Sequence, residues 1–171
     1  MSHKTPKPFI PLNIAVLTIS DTRTRENDTS GDYLQQAAEA AGHQVVTREI
    51  VIDDIYKMRA TATKWIADEG IHVILATGGT GFTTRDSTPE ALKVLFDLHV
   101  EGFGELFRAL SYEDIGTSTV QSRAFAGISN KTLVFCMPGS TNACKLGWDK
   151  ILLEQLDASH RPCNFVPHLN A

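Results

Sequence analysis

The sequence predicts an α/β fold of three α/β/α layers around a mostly parallel central sheet, and three observations carry that prediction. Short β-branched-rich apolar runs alternate with helical patterns along the 171 residues. Strands separated by helices pair in parallel and are covered on both faces. The runs at 13–19, 71–76 and 132–137 are apolar at nearly every position, the signature of strands buried on both sides. Each run then gives way to polar or glycine-rich residues, and the C-terminal strand ends are where open α/β sheets receive ligands.

The elements follow in order. Residues 13–19 form the first strand, followed by Ser20-Asp21-Thr22 and a charged stretch over 23–28. Thr29-Ser30-Gly31 starts a helix that runs to 41 and is stopped by Gly42. A second strand covers 45–52, and Asp53-Asp54 opens a helix to about 68, ended by Gly70. The third strand, 71–76, enters the loop Thr77-Gly78-Gly79-Thr80-Gly81. Ser87 and Glu90 have capping-box spacing and Pro89 is preset for a first turn, so 89–96 is helical. Residues 106–110 are also helical, while Glu101-Gly102-Phe103-Gly104-Glu105 reads as a flexible lid or a bend. A helix over 118–124 is ambiguous, 132–137 is a strong strand, and 142–156 closes the fold as an amphipathic helix. Residues 1–12 form an extended N-terminal arm. The tail 158–171, with Pro162 and Pro167, lies extended on the surface or on a neighbour. No linker or repeat interrupts 1–171, which predicts a single domain.

Composition excludes several function classes. The net charge is −4 with no basic face in the sequence, which argues against nucleic acid as a partner. No apolar run reaches membrane-spanning length, and Met1-Ser2-His3-Lys4 leads into Thr5-Pro6-Lys7-Pro8 instead of a secretory segment. Cys136, Cys144 and Cys163 are odd in number and lack zinc-like spacing. A reduced, cytoplasmic setting without a membrane partner is therefore expected. The glycine loop lacks the Gly-Lys-Ser/Thr ending of a P-loop and is not a dinucleotide fingerprint. The six histidines show no ligand spacing, and Cys144 has no base beside it in sequence.

The chemistry concentrates at four strand ends: Ser20-Asp21, Asp53-Asp54, Thr77 to Gly81, and Pro138-Gly139-Ser140. Each has a plain structural reading as a turn, a corner or a helix cap. One of Asp53 and Asp54 is expected to be an N-cap. Together the four ends predict a crevice rimmed by amides, hydroxyls and carboxylates. Glycine-loop amides and a helix N-terminus attract phosphate, whereas Asp86 among them repels it unless a cation or a reaction is involved. Ser122-Arg123 reads either as a surface pair or as an arginine placed near an anion site.

The ordered set Thr77-Gly78-Gly79-Thr80-Gly81, Asp86-Ser87-Thr88-Pro89-Glu90-Ala91, Gly102-Phe103-Gly104-Glu105, Ser122-Arg123 and Pro138-Gly139-Ser140 resembles the molybdopterin-binding domain family of molybdenum cofactor biosynthesis. The resemblance runs from about residue 14 to the C-terminus. Asp28-Thr29-Ser30-Gly31 and Arg161-Pro162-Cys163-Asn164-Phe165 resemble its bacterial B branch. It implies a protein that binds molybdopterin and, with ATP and Mg²⁺, transfers AMP to the pterin's terminal phosphate and releases pyrophosphate. Asp86 matches the family's metal- or triphosphate-positioning carboxylate. Asp53 matches its earlier catalytic aspartate, with Asp54 as the neighbouring candidate. Thr77, Gly78, Gly79, Thr80 and Gly81 would hold phosphate, and Ser20, Asp21, Ser122, Pro138, Gly139 and Ser140 would line the same crevice. Active members often carry a second proline where this chain has Thr141, and the alternative implied is a non-catalytic pterin-binding or carrier protein of the same pathway. A trimeric or hexameric homo-oligomer and contacts with other cofactor-biosynthesis proteins are further implications. The 102–110 segment and the tail are the candidate contact surfaces.

Overall fold

The computed structural model describes residues 7–171, so the first six residues of the expected N-terminal arm lie outside the described residues. Asn13–Ile19 (β1) is followed by Thr29–Ala40 (α1), Gln44–Val51 (β2), Ile55–Ile66 (α2) and Val73–Thr77 (β3). Then come Thr88–Leu92 (α3), Leu98–His99 (β4), Glu101–Ile115 (α4), Phe125–Ser129 (β5) and Thr132–Met137 (β6). Thr141–Gly147 (α5) continues through a π-turn at Trp148–Leu152 into Leu153–Gln155 (α6).

The six strands form one sheet in the order β2-β1-β3-β6-β5-β4. The first four are parallel, and β5 and β4 extend the sheet in antiparallel register. Period-2 alternation divides the apolar side chains of the central strands between two layers. Ile14, Val16, Val73, Leu75, Leu133 and Phe135 face the layer of α1, α4 and α5. Ala15, Leu17, Ile74, Ala76, Val134 and Cys136 face α2 and α3. Burying a side chain the size of Phe107 or Phe135, each 1 % exposed, contributes roughly 1.5–3 kcal/mol. His43 and His72 act structurally: their Nδ1 atoms accept the N–H groups of Leu12 and Asn13, fixing the entry to β1.

Several sequence expectations are corrected. The glycine-flanked segment 101–105 is neither lid nor bend but the first turns of α4. Gly104 lies so close to β5 that a Cβ there would meet the Ala124 carbonyl at 2.6 Å. Its glycine serves close packing, although sequence reasoning takes glycine as a breaker. Residues 118–124 form a 3₁₀ turn, Gly116–Gln121, leading into a strand, β5, that was not anticipated. The tail does not lie on the surface. Val166 and Leu169 are buried in the core and Phe165 sets its ring edge-on to Phe135 at 6.3 Å. Of the candidate contact segment 102–110, Phe103 and Phe107 are likewise turned inward. Ser87 occupies the N-cap of α3 but makes no capping bond there.

Candidate functional site

Three of the four predicted strand ends converge. A cavity of about 430 Å³ opens at the C-terminal edge of the sheet, within the size range of small-molecule sites. Ser20 lines it from β1, Thr77 to Gly81 from β3, and Pro138, Gly139 and Ser140 from β6. α4 and the turn after it close the far wall with Phe107, Ser111, Ile115, Ser118, Gln121 and Ser122. Asp86 faces the cavity, while Asp21, Asp53 and Asp54 do not line it.

The glycine loop is held by its neighbours at several points. Gly78 donates its N–H to the Met137 carbonyl and Thr88 donates its hydroxyl to the Gly78 carbonyl. Arg123 clamps the loop from outside, with Nε on the Gly81 carbonyl and Nη2 on the Asp86 carbonyl. Its remaining charge pairs with Glu90, so Arg123 holds the loop and does not face the cavity. The N–H groups of Gly79, Thr80 and Gly81 find no acceptor among the described residues. The Ser122 hydroxyl is likewise buried without a partner.

Two carboxylates press directly on this loop. Gly79 has φ +67°, and a Cβ there would lie 2.8 Å from Asp53 Oδ2. At Gly81 a Cβ would lie 2.8 Å from Asp86 Oδ2. Larger residues at these positions would drive both carboxylates off the backbone. Asp86 Oδ2 accepts the N–H and hydroxyl of Thr83, which orients the carboxylate. Asp54 is the N-cap of α2, accepting from the N–H groups of Tyr56 and Lys57, and the adjacent pair is thereby resolved. Asp53 instead takes the Ser87 hydroxyl at 2.6 Å and the Ser87 N–H at 3.2 Å. That bond explains why Ser87 does not cap its own helix.

The electrostatics separate these acids. Burial raises the Asp53 carboxyl from its ordinary value; Ser87 opposes the shift, and the like charges of Asp86 and Asp21 add to it. Asp21 is held low, first by the Arg85 guanidinium and then by the Asp53 N–H, and it pairs with Arg85 at 2.8 Å. Asp28, on the cavity wall, is buried, and burial alone would raise it. Hydrogen bonds from Arg48, Thr18 and the Gly31 N–H outweigh that cost and hold it low. Cys144 lies beneath the floor against the Thr77 hydroxyl, and burial pushes its thiol up to about 11, which makes it inert as a nucleophile.

The cavity residues that sequence reasoning missed include Arg23, Asp28 and three polar residues of the far wall, Ser111, Ser118 and Gln121. Asp28 opens the Asp28-Thr29-Ser30-Gly31 motif, whose sequence gives it no role of its own, and Arg23 lies in a charged stretch without periodicity. The other three lie on α4 and its following turn, the region where the sequence was least legible.

Comparison with known proteins decides the family. Residues 15–158 match the family described as "Probable molybdopterin binding domain". The chain belongs to that family. Molybdenum cofactor biosynthesis protein B of Escherichia coli (strain K12) is 58 % identical over 161 residues, covering 94 % of this chain and 95 % of the relative. The Bacillus subtilis (strain 168) protein B is 43 % identical over 155 residues, 90 % of this chain and 91 % of its own. A crystal structure of molybdenum cofactor biosynthesis protein B superposes with a TM-score of 0.83 at 44 % identity, covering 90 % of this chain and 94 % of the other. The tungsten cofactor synthesizing protein MoaB from Pyrococcus furiosus gives 0.76 at 38 % identity, with 84 % and 92 % covered. The molybdopterin-binding domain thus spans both sheet faces and all the strand ends that build the cavity. Among the described residues no helix is long and apolar enough to cross a membrane.

Proposed function

We propose that this protein, a member of a molybdenum cofactor biosynthesis family, binds molybdopterin and transfers AMP from Mg-ATP to its terminal phosphate, releasing pyrophosphate. The observation that carries this reading is the contact of two carboxylates, Asp53 and Asp86, with a glycine loop whose amides are free for phosphate. Simple phosphate binding favours the amides and disfavours the carboxylates. A phosphate site that also handles a cation-bearing nucleotide favours both.

Mg²⁺ fits this donor set in one way. Among the described residues no three His, Cys, Asp or Glu side chains gather into a metal cluster. Mg²⁺ is commonly held by one or two carboxylates together with substrate phosphates. Asp86, oriented by Thr83 beside the loop, is the residue to take it, and the like charges of Asp86 and Asp53 favour a cation nearby in addition to Arg85, which is paired with Asp21. When bound with the nucleotide, the ion would screen phosphate charge and assist departure of pyrophosphate.

The chain's own residues supply binding and orientation. The N–H groups of Gly79, Thr80 and Gly81 hold phosphate oxygens, and the unpartnered Ser122 hydroxyl, Ser20 and the Pro138-Gly139-Ser140 turn complete the cradle. Asp53 fixes Ser87 and with it the turn that presents Asp86. A phosphate monoester is already anionic at neutral pH, so its oxygen attacks the α-phosphorus without a protein nucleophile as the bond to pyrophosphate breaks. Positioning and charge neutralisation then account for catalysis.

The test is pyrophosphate release from purified protein given molybdopterin and Mg-ATP. Release is expected, and Asp86→Asn should lower it on the order of 100-fold. No release above the Asp86→Asn background overturns adenylyl transfer; pterin binding that persists in that case assigns a carrier. The family reading extends to a homo-oligomer, trimer or hexamer. Val94, Leu98 and Val120, 67 %, 63 % and 73 % exposed, supply an apolar surface for contact. Sedimentation as a monomer at micromolar concentration would overturn that extension.

A further inference from the structure

We propose that Arg23 is the phosphate-binding cation of the cavity, gripping the terminal phosphates of the nucleotide or the pyrophosphate formed from them. This rests on the reading of the cavity as a phosphate site.

The charge inventory of the wall points to it. The side chains that line the cavity include two carboxylates, Asp28 and Asp86, and one cation, Arg23. Asp28 is already neutralised by Arg48 at 2.7 Å. Asp86 and a phosphorylated ligand would together leave the cavity strongly anionic without a further positive group. The other arginines near the strand ends are committed: Arg48 to Asp28 and Asp32, Arg85 to Asp21, Arg123 to Glu90 and two loop carbonyls. Arg23 makes no ion pair among the described residues, and the single hydrogen bond of its side chain, from Nη1 to the Asn27 carbonyl, leaves the rest of its donor fork open. A guanidinium free in that way matches two phosphate oxygens at once.

The backbone beneath it is fixed. The N–H groups of Thr22 and Arg23 both donate to Ser20 Oγ, and Thr24 donates to Asn27 Oδ1. The Arg23 side chain therefore leaves from a pinned turn just after β1, the strand next to the one that carries the glycine loop, and lines the same cavity. Arg25, two residues on, is exposed and does not line the cavity.

Calorimetric titration of the full chain with pyrophosphate tests this. Arg23→Ala should weaken binding about 10- to 100-fold, Arg23→Lys should fall between, and Arg25→Ala should bind as the native chain does. Thermal midpoints without ligand should match across all three variants, since Arg23 is exposed and carries no packing. If Arg23→Ala binds pyrophosphate as tightly as the native chain, the assignment is wrong while the phosphate site stands. If the native chain binds no pyrophosphate, both the site and the assignment fall.

Discussion

Asp28 and Asp53 are both buried carboxylates, 1 % and 9 % exposed, and both sit at the start of a helix that follows a strand. Their surroundings are opposite. Asp28 has a guanidinium, a hydroxyl and a backbone N–H, and its carboxyl is held low. Asp53 has one serine on one of its oxygens, two like charges nearby, and a raised carboxyl. The fold puts a guanidinium directly on the first, whereas the cation nearest the second, Arg85, is paired with Asp21 and acts on Asp53 only from a distance. A buried acid neutralised by its own chain is a structural element. A buried acid without a cation bonded to it, beside a glycine loop, is a candidate for function.

The largest test of this contrast is Arg48→Met, which leaves Asp28 buried without its cation. A loss of about 3–5 kcal/mol in denaturant unfolding is expected; a loss below about 1 kcal/mol would mean that Asp28 does not depend on the pair, and the contrast would collapse. Asp53→Asn should do the reverse. Stability at pH 7 should be equal or higher, because a buried charge with no cation bonded to it is removed, while the proposed AMP transfer should fall on the order of 100-fold. Destabilisation like that of Arg48→Met would show Asp53 to be structural as well. Ser87→Ala removes the single side-chain donor to Asp53 and should cost about 0.5–1.5 kcal/mol. It should also push the Asp53 carboxyl further up, visible as an upward move of the acid limb in the pH profile of transfer.

The finest test is the pH dependence of unfolding, where the two acids have opposite signs. Asp28 is lowered in the folded state, so its contribution is present above the ordinary carboxylate value of 3.8 and is lost as pH falls through the folded value. Asp53 is raised, so its contribution is present below 3.8 and is lost as pH rises through the folded value. Between about pH 3 and 6, the deficit of Asp28→Asn against the native chain should shrink on acidification. Any advantage of Asp53→Asn should grow as pH rises. Parallel curves for the two variants would contradict the assignment.

The parallel half of the sheet was legible because its strands carry one signal at every position. The apolar runs at β1, β3 and β6 coincide with the observed strands to within two residues. The antiparallel edge was not. β4 spans only Leu98–His99, β5 contains a glycine, and Gly102 and Gly104 disguised the start of α4. Tertiary contact overrode local propensity there. The site divides the same way. The glycine loop, Asp86 and the Pro138-Gly139-Ser140 turn were visible as strand-end chemistry. That Asp54 caps while Asp53 faces Ser87 depends on side-chain direction, which adjacent identical residues conceal. Arg123 attracted attention as the cation near an anion site, yet it braces the loop from outside and Arg23 takes the cavity position.

The inward packing of the tail has a consequence for the order in which the core can close. Phe165, Val166 and Leu169 cover the face that Ile14 and Leu34, more than a hundred residues earlier, also build. Contacts that distant in sequence reward the chain only after a long loop has closed, so the sheet and its opposite layer can assemble while this face stays open. Docking of the tail then completes the core, which makes the interval before it the period in which an unfinished copy is most exposed to chaperones and proteases.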